Sequence, residues 1–142
     1  MTTSVQFGRD DIFLLGNIAA RAVSTGEGSN AETILKFVQL ERPGNAGGHM
    51  LQAVYLFSAG RLDEAIEFLE DADIFNAEVN GPEVFAFYLI LLKERGDTKR
   101  VRQEAAEYRA KHRTLSESAR HAIDTILAEI AAEAQGSTIN AV

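Results

Sequence analysis

The chain has 142 residues, a net charge of −7, 46% apolar and 25% charged residues, and no cysteine. That length suits one domain burying roughly two-thirds of its unfolded surface. The lack of cysteine excludes disulfides, thiolate chemistry and zinc–cysteine sites, and the acidic balance argues against generic nucleic-acid binding.

In chain order, residues 1–8 read as a loose arm, and Met1-Thr2-Thr3-Ser4 has no basic residue ahead of an apolar core, as expected without a secretory signal. Asp10 or Asp11 is placed to cap a helix running to Ser24, with Phe13, Leu14, Leu15 and Ile18 on its apolar face. A turn at residues 25–28 follows, then a helix capped by Asn30 and stopped at Pro43-Gly44. Residues 50–57 are apolar almost all round, which predicts a largely buried helix. Gly60 makes a tight turn into an amphipathic helix over residues 62–72, with Asp63 and Glu64 in its first turn, where negative charge suits the helix dipole. Asn80-Gly81-Pro82 is a turn and helix start. Residues 84–92 form a second buried helix, and Gly96-Asp97 leads into a basic one with Val101, Ala105 and Tyr108 as a thin apolar stripe. Thr114-Leu115-Ser116-Glu117 has capping-box form, with Thr114 as the cap of a final helix over residues 115–134. Residues 136–142 are expected to fray. The longest apolar segments, 12–20 and 84–92, are shorter than the ~20 residues that span a bilayer, so the expectation is a soluble, cytoplasmic protein without a membrane span.

The pattern repeats. Thirty-four residues before Gly60 and Ala65 stand Gly26 and Ala31, and Ala72 maps to Val38; after Gly60 the next turn glycine is Gly96, a step of 36. A period near 34 residues in helix–turn–helix form resembles the tetratricopeptide (TPR) family over residues 10–113, carried by Gly26, Ala31, Pro43, Gly60, Ala65 and Ala72. His49 and Gln52 depart from it, standing where a large aromatic and a leucine are usual. The resemblance implies an all-α, TPR-like superhelix of about three units (9–44, 45–81 and 82–113), closed by a capping helix over 114–135. It also implies a concave groove lined by Phe13, Gly16, Ala20 and Val23, by Met50, Val54 and Phe57, and by Ala86, Ile90 and Lys93. That lining is mostly small and apolar, suited to an amphipathic helix rather than to a peptide carboxylate.

More narrowly, Leu40-Glu41-Arg42-Pro43, Gly60-Arg61-Leu62-Asp63-Glu64-Ala65 and residues 91–97 are similar in layout to the TPR-like chaperones of bacterial type III secretion. That resemblance implies a cytosolic chaperone that buries an amphipathic helix of a needle, pilus or translocator subunit, often alongside a small helical co-chaperone. The alternatives are a generic TPR adaptor and a self-associating scaffold, a homodimer for example, built on the stripe of the last helix.

Nothing points to catalysis or a cofactor. His49, His112 and His121 lack metal-ligand spacing, and Gly44 to Gly48 lacks the Lys-Ser/Thr of a phosphate loop. No catalytic, cofactor or metal residue is assigned, and a non-enzyme is expected. Charge is segregated: eight acidic and no basic residues between 63 and 83, against eight basic and four acidic between 93 and 113. The simplest reading is two solvated faces that attract one another; the competing one is a nucleic-acid footprint made by Lys99, Arg100, Arg102, Arg109, Lys111 and Arg113.

Overall fold

The computed structural model describes residues 18, 20–22, 24–25 and 28–140. Six helices are bounded within them: α1 Gly28–Glu41, α2 Gly47–Ser58, α3 Leu62–Ala72, α4 Gly81–Glu94, α5 Thr98–Lys111 and α6 Glu117–Asn140. Residues 18, 20–22 and 24 are helical as well. Among the described residues there is no strand, only a single parallel bridge between Asn45 and Val79. The chain is all-α, as expected. The expected cap at Asp10 or Asp11 and the turn at Gly26 lie outside the described residues.

The turn chemistry accounts for the bends that follow α2 and α4. Gly60 and Gly96 both have positive φ, 77° and 87°. After α2, the Gly60 N–H donates to the Phe57 carbonyl and the Arg61 N–H to the Leu56 carbonyl; after α4, Gly96 donates to Lys93 and Asp97 to Leu92. Both are Schellman closures, in which a left-handed residue lets two orphan carbonyls find donors. The same device thus recurs 36 residues apart. Gly81 is required for another reason: a Cβ there would lie 2.8 Å from the Phe75 carbonyl oxygen.

Three boundaries differ from the sequence expectation. Asn30 lies inside α1, which starts at Gly28. The cap of α6 is Ser116, whose Oγ accepts from the Ala119 N–H at 3.3 Å, rather than Thr114. Thr114 and Ser116 are both capping types; the helix starts at Glu117, so only Ser116 stands next to its free N–H groups. At its far end α6 runs to Asn140, past residue 134, because residues 131–135 are good helix formers and Gly136 meets no neighbour that would force a break.

Packing follows a simple rule. Each helix packs on its sequence neighbour, and α2 packs on α4 and α4 on α6, whereas α1 does not pack on α3 nor α3 on α5. The helix α4 therefore touches α2, α3, α5 and α6, and it buries Val84, Phe85, Tyr88, Leu89, Leu91 and Leu92. Burial repeats with the glycine step. Gly48, Gln52, Ala53 and Leu56 are buried on α2, and Val84, Tyr88, Leu89 and Leu92, each 36 residues on, are buried on α4. Ala65 and Leu69 of α3 recur as Val101 and Ala105 of α5. Polar contacts also join positions about one repeat apart. Asn80 Nδ2 donates to Asn45 Oδ1 at 2.9 Å, Ser116 Oγ to Glu83 at 3.3 Å, and Lys93 Nζ to Glu129 at 2.8 Å. Since Glu83 meets the start of α6 and Lys93 its middle, α4 and α6 run side by side in the same direction.

Candidate protein-binding groove

The residues assigned to a groove lie on α2 and α4 and on the segment before α1. Phe13, Gly16 and Val23 are outside the described residues; Ala20 is helical and half-buried. On α2, Met50 is half-buried against the main core, and Val54 is half-buried against a small cluster formed with Ala31 and Leu35 of α1. Phe57 is 36% exposed, a large aromatic with an open face. On α4, Ile90 is 37% exposed, but Ala86 is only 4% exposed and belongs to the core. Ala86 lies one turn before Ile90 on the same helix, but its short side chain is covered by the surrounding core, so it offers a partner almost no surface.

The shared register places these positions. The 36-residue step pairs Val54 with Ile90 and Phe57 with Lys93, one helical turn apart on each helix. Among the assigned positions that lie within the described residues, the open large apolar side chains are Phe57 and Ile90, on two neighbouring helices.

Lys93 is the one charged position of the set, and it is not free. Its ammonium lies 2.8 Å from Glu129 and 3.4 Å from Glu133 of α6. The hydrogen bond to Glu129, the largest contribution, raises its pKa and holds it charged. Two carboxylates against one ammonium, with Glu94 exposed beside it, make this end of the face net acidic. Sequence reasoning missed Glu129 and Glu133; the signal was present, because Glu129 stands 36 residues after Lys93, the same step that separates the turn glycines.

The expected capping stripe of the last helix is built into the core. Ala119, Ile123, Ile126 and Ile130 are buried, and α6 packs on α4 and α5. Its outward positions Glu117, Ser118, Arg120, His121, Asp124 and Thr125 are exposed and polar.

The acidic and basic segments meet. Arg100 pairs with Glu70 at 2.7 Å and with Glu104 at 3.6 Å, Arg95 pairs with Asp63 at 3.6 Å, and Arg109 pairs with Asp124. Two of the six candidate phosphate contacts, Arg100 and Arg109, are thereby engaged within the chain. Lys99, Arg102, Lys111 and Arg113 carry no ion pair among the described residues. No group of three His, Asp or Glu side chains able to hold a metal is found among the described residues. None of the described helices is long and apolar enough to cross a membrane.

Compared with known proteins, the chain matches no family model, no curated protein and no solved structure.

Proposed function

We propose that this chain is a TPR-like helical repeat that binds another protein without catalysis, seating an amphipathic helix across α2 and α4. The observation that carries this reading is the pair Phe57 and Ile90, apolar and open on adjacent helices and offset by one helical turn in the 36-residue register. Elsewhere the large apolar side chains of α4 are buried or partly buried, so an open isoleucine there suits a contact surface.

The packing rule supports the repeat reading. With α2 packed on α4 and α4 on α6, while α1 does not pack on α3 nor α3 on α5, the first set reads as the short side of a curved stack. A concave face then falls to α2, α4 and α6. A helix laid there presents apolar residues at i, i+3, i+4 and i+7, and its binding comes from apolar area leaving water, at roughly 25 cal/mol per Å2. The acidic end around Glu94, Glu129 and Glu133 favours a partner helix carrying lysine or arginine at that end.

Within this reading the partner is a secretion subunit of the needle, pilus or translocator kind, kept from aggregating in the cytosol, with a small helical co-chaperone alongside. The test is direct. Phe57→Asp and Ile90→Asp each place a charge on the open face, and both are expected to abolish capture of the partner while leaving helical circular dichroism unchanged. Retained capture by both variants would overturn the reading.

A further inference from the structure

Where α5 ends and α6 begins there is an open depression of about 480 Å3, with Arg109, His112, Arg113, Leu115, Arg120 and Asp124 in its lining. The segment that shapes it is anchored on both sides. His112 stacks on Tyr108 with centroids 4.1 Å apart, and its backbone N–H donates to the Tyr108 carbonyl at 2.9 Å. Leu115 packs against the main core, and Ser116 caps α6. The backbone that carries Arg113 therefore lies between two fixed points. Arg113 and Arg120 are themselves exposed, and Arg109 is half-buried.

Charge sets this place apart. Three arginines line it against one carboxylate, in a chain whose net charge is −7. Asp124 pairs with Arg109, which leaves Arg113 and Arg120 with no ion pair or side-chain hydrogen bond among the described residues. Elsewhere Arg61, Arg95 and Arg100 each meet a carboxylate. Helix ends explain only part of the cluster. Arg109 and Lys111 suit the last turn of α5, where the dipole favours cations. Arg120 is the fourth residue of α6 and stands at the end of that helix where the dipole disfavours a cation. It forms no ion pair with Glu117, one turn before it. An anion in the depression would offset both unpaired charges.

We infer that the depression between α5 and α6 is a binding site for a phosphate monoester, held by Arg113 and Arg120 with Arg109 beside them. Two unpaired guanidinium charges match the charge of about −1.5 to −2 on such a group at neutral pH. A carboxylate or a phosphodiester brings only one. Each guanidinium is a planar fork whose paired N–H donors fit two phosphate oxygens. Leu115 is the one apolar side chain in the lining, so the site recognises the phosphate and not the body that carries it. Inorganic phosphate and a phosphorylated side chain of another polypeptide present this same chemistry. The site is separate from Phe57 and Ile90 and does not depend on the helix-binding reading.

The test titrates the intact protein at pH 7.5 and constant low ionic strength, following the arginine Nε–H signals by NMR. The probes are inorganic phosphate, a short phosphoserine peptide, its unphosphorylated form, dimethyl phosphate and acetate. Saturable shifts of Arg113 and Arg120 are expected with phosphate and with the phosphopeptide. Dimethyl phosphate and acetate, with one charge each, should bind more weakly, and the unphosphorylated peptide not at all. Tighter binding of the phosphopeptide than of phosphate would assign the source to a polypeptide, and the reverse to a free phosphate; both support the site. Arg113→Gln and Arg120→Gln should each weaken phosphate binding about two- to fivefold, the range for exposed charge pairs. Asp124→Asn, which releases Arg109, should strengthen it. Arg102→Gln, an exposed and unpaired arginine outside the depression, is the control and should change nothing. Thermal melts confirm that each variant is folded. No saturable response to phosphate or the phosphopeptide, acetate binding as tightly as phosphate, or an equal loss in Arg102→Gln would overturn the site.

Discussion

Tyr108 and Phe85 stack ring on ring at 3.9 Å, and the Tyr108 hydroxyl ties that stack to the Phe75 carbonyl. This locks α5 onto α4 and onto the loop that precedes α4. Burial pushes the Tyr108 phenol up to about 12, so it remains a donor across the working pH range. Tyr108→Phe would keep the stack but leave the Phe75 carbonyl without this donor. The expected loss is about 1–3 kcal/mol, read as a lower urea midpoint at unchanged m-value.

The two Schellman turns make a matched pair of tests. Gly60→Ala and Gly96→Ala each place a Cβ in open space at positive φ, so the cost is backbone conformation alone, about 1–2 kcal/mol. Nearly equal destabilisation is expected, because the hydrogen-bond closures are identical. Gly81→Ala should cost more than either, since its Cβ meets the Phe75 backbone oxygen at 2.8 Å. Thermal melts of the three variants give the order.

Capping separates sequence expectation from structure within two residues. Ser116→Ala should cost about 1 kcal/mol by removing the acceptor for the Ala119 N–H. Thr114→Ala is expected to be near neutral. The reverse order in chemical denaturation would return the cap to Thr114.

His49 gives a pH signature. Desolvation lowers its folded pKa below its ordinary value of 6.5. The unfolded chain therefore binds this proton more readily, and stability falls as pH drops through 6.5 towards the lower folded pKa, then levels off for this group. The stabilising contribution is fully present above 6.5. His49→Phe should flatten the stability profile between pH 7 and 5, above the range where exposed carboxylates titrate. An unchanged slope would contradict the burial assigned to this ring.

Much of the fold was legible because glycine punctuation and apolar period act locally. Gly60 and Gly96 announce their turns, and α3 spans Leu62–Ala72, as its amphipathic pattern indicated. Register is the stronger guide over distance: the 36-residue step between two glycines also organises burial on α2 and α4, and it is the spacing of the Lys93–Glu129 contact that sequence reasoning missed. What the sequence could not convey was the surroundings of each face. Ala86 was assigned to a groove by phase alone, but its short side chain is covered by the core around it while Ile90, one turn on, reaches the surface. Val54 braces α1, so an aspartate there would test folding rather than binding. Asn30 and Thr114 are sound capping residues by type, yet the helices begin elsewhere, since a cap is chosen by the position of the free N–H groups and not by residue type alone.

The most direct measurement of the central claim is paired affinity capture from the native cell, with tagged wild-type protein beside the folded Phe57→Asp, Ile90→Asp double variant, read by mass spectrometry. A small helical protein recovered in near-equal amount with the wild type and lost from the variant is the predicted result. Recovery of the wild type alone, at a solution mass above its own 15.5 kDa, would contradict it and assign the open face to self-assembly.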